Sequence, residues 1–281
     1  MTLGQIRATI INAIASDKEL ARFLVFKGGN ALEMVHHVGD RSSVDMDFSM
    51  EDDVDDANQI SDRLFSALRA KFAESGLVLF GEVFAPRPTD RQPRALWGGY
   101  FAEFKLISRD LFEGLSGELQ AIQRQAIESG PNHRRRFRIE ISPFEYCDDK
   151  VAMSINGSPL YVYSLQMIAA EKLRAICQQD PDYPLRVNPA PRARDFYDIC
   201  ATIIEAHVDF ADPNFHDLTR KIFAAKEVDL RLIRRIHLHR EFHRADWPSV
   251  QVAVRTKLRE FDYYFEVVLA EIEKLDPLGI E

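Results

Sequence analysis

The stretch KGGNALEMVHHVGDRSSVDMDF, residues 27–48, restricts the possible folds more than any other part of the chain. A short apolar run over Phe23 to Phe26 ends in a Lys27-Gly28-Gly29 turn, and residues 30–38 read as a short helix. Val44, Met46 and Phe48 then alternate with Asp45 and Asp47. Alternation of period two marks a half-buried strand and sets both aspartates on one face, about 7 Å apart, with the apolar side chains behind them. Buried strand, glycine turn, helix and carboxylate-bearing strand in that order point to an α/β core. Two carboxylates so placed can hold one or two Mg²⁺ (or Mn²⁺) ions against an NTP triphosphate. Gly28 and Gly29 let the backbone approach closely, so that their N–H groups and the helix start can cradle phosphate oxygens, with Ser42 and Ser43 adding hydroxyl donors. A glycine pair or a DxD alone is common in plain turns and solvated strands; the ordered combination is much rarer.

Around this stretch the pattern stays mixed for about half the chain. Leu3, Ile6, Ile10 and Ile14 have helical spacing, as do Ala57, Ile60, Leu64, Leu68 and Phe72 ahead of Gly76. LVLFGEVF, GYFAEFKLIS and RRFRIEIS read as strands, the last two separated by a helical stretch near residues 109–128. The loop APRPTDRQPR, with three prolines, reads as irregular. From Ser164 onward the pattern is nearly all helix apart from PDYPLRVNPAPR. These features divide the chain into an α/β (α+β) domain over residues 1–155 and a helical domain over 156–281.

With 281 residues, 46% of them hydrophobic and 28% charged, the chain has ample material for a core. No apolar run approaches the ~18 residues that span a bilayer, and three cysteines without a CxxC pair suggest neither a disulfide framework nor a zinc cluster. A cytoplasmic protein without a membrane partner is expected. A net charge of −8 weighs against non-specific coating of nucleic acid. The charge is nevertheless segregated: HRRRFR (His133 to Arg138) and the stretch from Lys221 to Arg244 are basic, and EDDVDD (Glu51 to Asp56) is acidic.

A second constellation lies on the predicted helix SLQMIAAEKLRAICQQ, with Ser164 as N-cap and Leu165, Ile168, Ala169, Leu173 and Ile176 as its apolar stripe. Lys172 falls inside that stripe, where a lysine must snorkel, pair with a carboxylate or meet a bound anion. The anion is the preferred partner in this reading, and it predicts a Lys172→Met protein no less stable than the parent. Third, RARDFYDIC opens a helix with Arg192, Arg194, Asp195 and Asp198; from the residues alone these are caps and solvated charges. His36 and His37 point to different sides of a helix and read as surface or partial core. The run Arg231 to Arg244 is either an RNA-backbone contact or a solvated basic face.

KGGNALEM, RSSVDMDF, RIEIS, EKLRAI and RARDFYDI, in that order over about residues 22–204, resemble the AbiEii/AbiGii nucleotidyltransferase family, the toxins of type IV toxin–antitoxin systems. The resemblance implies a polymerase-β-like nucleotidyltransferase core with a mixed sheet, followed by a helical domain that contributes Lys172 and Asp195 to the site. It implies metal binding and catalysis at Asp45 and Asp47, catalytic roles for Lys172 and Asp195, and nucleotide contacts from Lys27, Gly28, Gly29, Asn30, Ser43 and Lys172. Asn30 stands where the family often has Ser or Thr, and its amide can still donate to phosphate. A third carboxylate is usual on a neighbouring strand; Glu140 is the candidate, the competing reading being a cross-strand ion pair with a residue such as Lys105. The implied reaction transfers a nucleotide from NTP to an RNA acceptor, notably the 3′ end of tRNA. Its outcome would be arrested growth or aborted phage infection, held in check by an antitoxin encoded nearby. The alternative from another class is a non-catalytic NTP-binding regulatory module. A metal phosphohydrolase lacks a set of spaced histidine ligands.

Overall fold

Seven strands supply the framework: β1 (Val25–Lys27), β2 (Met46–Ser49), β3 (Leu77–Arg87), β4 (Gly99–Ser108), β5 (Phe137–Ser142), β6 (Val151–Ile155) and β7 (Ser158–Val162). They form one mixed sheet in the order β3-β4-β5-β2-β1-β7-β6. The pairs β2/β5 and β1/β7 are parallel, and β3/β4, β4/β5 and β6/β7 are antiparallel. A computed structural model describes residues 1–41, 43, 45–90, 96, 98–130, 133–155, 157–185 and 188–275; Ser42 and Val44 lie outside them. The chain divides into two units interleaved in sequence. Met1–Phe26, Val44–Pro143 and Val151–Val162 make the first, and Lys27–Ser43, Phe144–Lys150 and Tyr163–Glu281 the second.

In the first unit the sheet is joined by helices α1 (Leu3–Ser16) and α2 (Lys18–Phe23). A Thr2/Gln5 capping box starts α1, which buries Ile6, Ile10, Ile11 and Ile14. The same unit holds α4 (Ala57–Glu74), α5 (Arg109–Gly114) and α6 (Leu119–Gln125); α3 belongs to the second unit. Asp56 caps α4, and Ile60, Leu64, Phe65, Leu68 and Phe72 form its buried stripe. Phe72 touches Phe104 of β4, which stacks on Phe137 of β5, at centroid distances of 5.9 and 5.7 Å. Period two and the parallel register Met46↔Ile139, Phe48↔Ile141 then put Met46, Phe48, Ile139 and Ile141 on the face that α4 covers. Asp47, Arg138 and Glu140 occupy the opposite face.

The second unit begins with α3 (Gly28–Ala31) and a π-helical turn over Leu32–His36 that ends with His37 in the left-handed region. Its body is α7 (Leu165–Cys177), α8 (Ala193–Ala206), α9 (Pro213–Ala224), α10 (Arg240–Arg244), α11 (Trp247–Ala253) and α12 (Phe261–Glu273), with a 3₁₀ helix over Leu230–His239. Phe196 stacks on Phe265 at 5.0 Å and meets Phe261 edge-on at 5.7 Å, joining α8 to α12. No helix among the described residues is long and apolar enough to cross a membrane.

The mixed α/β architecture expected from sequence is present, with local differences that have physical causes. Phe23 closes α2 and is exposed, so the strand starts at Val25 rather than Phe23. The helical stretch over 109–128 is two helices, interrupted where Ser116 and Gly117 take positive φ. β3 continues through Ala85-Pro86-Arg87, residues that read as irregular loop; β3 is an edge strand, where a missing N–H is tolerated. A bulge between Phe80 and Val83, with Gly81 at φ 66°, kinks the same strand. The short β6/β7 hairpin was not anticipated, although Asn156-Gly157 after the alternating Val151, Met153 and Ile155 was an available signal.

Phe26 and Phe48 meet at 5.1 Å, both fully buried, and join β1 to the carboxylate strand. Phe48→Ala is expected to lower stability by about 3–5 kcal/mol, read as a reduced urea midpoint.

Candidate active site

The carboxylate face of the first unit is organised by register. Asp47 pairs with Glu140 across the parallel β2/β5 ladder, and Glu140 with Phe101 across the antiparallel β5/β4 ladder, so the three form a row on one side of the sheet. Asp45, two residues before Asp47, lies just ahead of β2, and its side chain is 35% exposed. Glu140, the candidate third carboxylate, lies beside Asp47 in the register and also forms ion pairs. Its pairing partners are Arg87 (2.7 Å) and Arg138 (3.4 Å), and its strand partner on the β4 side is Phe101 rather than Lys105. Arg138 also donates to Glu103 at 2.6 Å. Burial would lower the Arg138 pKa, but Glu103, Glu140 and Asp45 together hold it above the usual arginine value. Arg134 donates to Asp45 at 3.0 Å. The basic run HRRRFR is therefore largely engaged with local carboxylates, since His133 and Arg135 both meet Glu128 and Arg136 meets Glu103.

In the second unit the glycine-turn segment is held by two buried charged clusters. Lys172 Nζ lies 2.9 Å from Asp195 and 2.6 Å from Asp198. Asp198 also receives a bidentate pair from Arg41, with Nε at 3.0 Å and Nη2 at 2.7 Å. Arg192 approaches Asp195 at 3.7 Å. Desolvation works against every one of these charges, but the pairing wins: Lys172 is held above the usual lysine range, Asp195 below the carboxylate range and Asp198 far below it. A Cβ added at Gly29 would lie 2.3 Å from Arg41 Nη2, so the close approach that requires glycine there is made by this guanidinium. Gly28, at φ 75°, supplies the left-handed turn.

The second cluster surrounds Glu145. Arg174 grips it with two contacts of 2.7 and 3.2 Å, and Lys27 and Lys226 lie at 3.5 and 3.7 Å. Lys27 also meets Glu171 at 3.4 Å. Burial alone would raise the Glu145 pKa; the three cations push it far below the carboxylate range.

Sequence reasoning named Asp45, Asp47 and Glu140, and the sheet assembles them in one unit. It named Lys27, Gly28, Gly29, Asn30, Ser43, Lys172 and Asp195, all of which fall in the other unit. Of the three ways to accommodate Lys172, the structure shows the carboxylate pair. Asp195 and Asp198, read as solvated caps, are buried because α8 packs this face against α7. Lys27 and Asn30 are buried as well, at 7% and 0% exposure. Sequence reasoning missed Arg41 as a member of the cluster, because no local pattern ties it to an aspartate 157 residues away. His36 donates its Nε2 proton to the Tyr163 carbonyl at 2.8 Å, which ties the ring to the backbone. The basic run from Arg231 is committed to internal partners: Arg235 and His239 to Asp180, and Arg240 and Arg244 to Asp262.

Among the described residues no three His, Cys, Asp or Glu side chains are gathered as a metal cage. That arrangement still suits Mg²⁺, which is commonly held by one or two carboxylates and completes its shell with water and substrate phosphates. Asp45 and Asp47 offer such a pair.

The fold is that of a nucleotidyltransferase. It matches the crystal structure of a protein from H. pylori designated a nucleotidyltransferase with a TM-score of 0.51 at 14% identity, covering 99% of this chain and 95% of that one. An antigenic nucleotidyltransferase-like protein from Paracoccidioides brasiliensis matches at a TM-score of 0.36 and 16% identity, over 89% and 94% of the two chains, too low a similarity to bear on the fold. No curated protein matches the chain. The model of the family described as nucleotidyl transferase AbiEii toxin, type IV toxin–antitoxin system, matches residues 9–267, and the chain belongs to that family of nucleotidyltransferases.

Removing Lys172 leaves two buried carboxylates with less than their full complement of cations. Lys172→Met is expected to lose about 3–5 kcal/mol in urea unfolding, the outcome that belongs to the carboxylate-pair reading rather than to the preferred anion reading. Asp195 and Asp198 have depressed pKa values in the fold, so their pairing stabilises it fully above the unfolded value near 4, and that stability is lost as pH falls below it. The deficit of Lys172→Met in thermal melts should accordingly be largest above about pH 5 and shrink towards pH 3.

Proposed function

We propose that this nucleotidyltransferase transfers a nucleotide from an NTP to an RNA acceptor with release of pyrophosphate, using Asp45 and Asp47 as the carboxylates for a divalent ion. The observation that carries the reading is the placement of Asp47 beside Glu140 on the half-exposed side of the sheet, with Asp45 two residues before it. When bound, Mg²⁺ or Mn²⁺ neutralises triphosphate oxygens and helps to align the attacking oxygen. Asp45 and Asp47 bind and orient; Glu140 is the third carboxylate of the face, already shared between Arg87 and Arg138.

Lys172 and Asp195 keep the roles implied by the family resemblance, and their geometry supports a positioning part in them. Together with Asp198 and Arg41 they fix the segment that carries Gly28, Gly29, Asn30 and Ser43, whose contacts to the nucleotide phosphates rest on the same resemblance. The acceptor this reading favours is tRNA at its 3′ end. Blocking that end stops aminoacylation, which accounts for a cytoplasmic toxin that arrests growth or aborts phage infection and requires a neighbouring antitoxin.

Purified protein incubated with each labelled NTP, Mg²⁺ and total RNA is expected to label a tRNA-sized band with one NTP and to release pyrophosphate. Asp45→Asn and Asp47→Asn should each reduce transfer by at least about 10²-fold with unchanged thermal melts, the scale on which preorganised electrostatic groups act. Wild-type rates in either variant would remove the metal assignment, whereas NTP binding without pyrophosphate release would favour a regulatory module.

A further inference from the structure

The carboxylate face carries its own cations. Arg134 Nη2 donates to Asp45 Oδ1 at 3.0 Å, both side chains being about one-third exposed. The backbone holds that arginine in place. Ser129, itself 2% exposed, donates from its backbone N–H to the Arg134 carbonyl at 2.6 Å. Its Oγ lies 3.0 and 2.7 Å from the carbonyls of Arg134 and Arg136. Between them, Arg135 donates to the Ala126 carbonyl and, at 2.9 Å, to Glu128. The segment is pinned at Arg134 and at the two residues after it, leaving the Arg134 guanidinium beside a carboxylate that a divalent ion would need.

We propose that Arg134 is a stand-in cation: it neutralises Asp45 in the free protein, yields that oxygen to the metal ion, and then takes a phosphate of the incoming nucleotide as its new partner. The inference rests on the reading of Asp45 as a metal carboxylate. A guanidinium and a divalent ion compete for the same oxygens, so Arg134 opposes the ion when it arrives alone. With nucleotide present, the displaced planar fork meets phosphate oxygens that it can grip at two points. Arg134 thereby couples the two ligands, weakening the binding of metal alone and strengthening the binding of metal with nucleotide.

Mn²⁺ titrations followed by electron paramagnetic resonance separate these contributions without turnover. They are run with Mn²⁺ alone and with each of the four α,β-methylene NTP analogues, on wild type, Arg134→Gln, Arg134→Lys and Asp45→Asn. Arg134→Gln is expected to bind Mn²⁺ alone about two- to fivefold more tightly, the scale of a partly exposed ion pair. The same variant should bind the Mn²⁺–analogue complex at least about fivefold more weakly, through loss of a charged contact. Arg134→Lys should restore most of the weaker Mn²⁺ binding but only part of the Mn²⁺–analogue affinity, since an ammonium lacks the two-point fork. Misfolding would weaken both titrations together, so changes of opposite sign identify the exchange. Changes of the same sign, or none, with wild type still binding the complex, overturn the role of Arg134 alone. Equal Mn²⁺–analogue binding by Asp45→Asn and wild type, or no binding by wild type, overturns the assignment of Asp45 and Arg134's role with it.

Discussion

The second unit depends on the neutralisation of a lysine whose side chain is only 6% exposed. Helix α7 is buried on nearly every side, from Met167 to Cys177, so the ammonium of Lys172 can stay charged only if the protein supplies anions. Asp195 and Asp198, one turn apart on α8, supply them, and Arg41 shares the second. Two cations and two carboxylates thereby join three separate stretches of sequence. The consequence reaches the glycine turn, because the Arg41 guanidinium lies against Gly29 where any side chain would collide with it. Helix packing, turn geometry and charge balance are thus one constraint.

The helical repeat explains how α7 serves two clusters without mixing them. Residues at i, i+3 share a side of a helix, and Glu171 and Arg174 both turn towards Lys27 and Glu145. Lys172, about 100° from Glu171, turns towards α8 instead. Glu145 comes from Phe144–Lys150, the short visit that the chain makes to the second unit between β5 and β6. Both ends of the segment are tied in this way: Lys27 at its start by one cluster, Arg41 near its end by the other.

The fold class was legible because the signals were periodic and local. The alternation Met46, Asp47, Phe48 gave a strand and a polar face, and the stripe on α4 matched its buried residues almost one for one. Lys172 was conspicuous because a lysine in an apolar stripe violates the pattern. Pairing with a carboxylate such as Asp195 was one of its open readings; the addition of Asp198 and Arg41 was not legible, since these two are 157 residues apart and no local rule separates a buried i, i+3 pair of aspartates from a solvated one. The partners of the basic run were hidden for the same reason, since sequence shows the excess of arginine but not that Asp180 and Asp262 meet it. Gly29 was singled out for a close approach to phosphate, and in the protein it meets the Arg41 guanidinium.

The outer ladder of the sheet, β3, is long and partly exposed, the kind of edge onto which a strand of a second molecule can zip. The bulge at Gly81 and Glu82 breaks the straight run of backbone groups, and Pro86 removes one donor near the far end. Glu82, bound to Arg69 at 2.7 Å, places charge at the kink. Residues that look like defects in a strand therefore deny a growing aggregate its template, and colloidal stability at high expression would depend on a single proline and a single glycine.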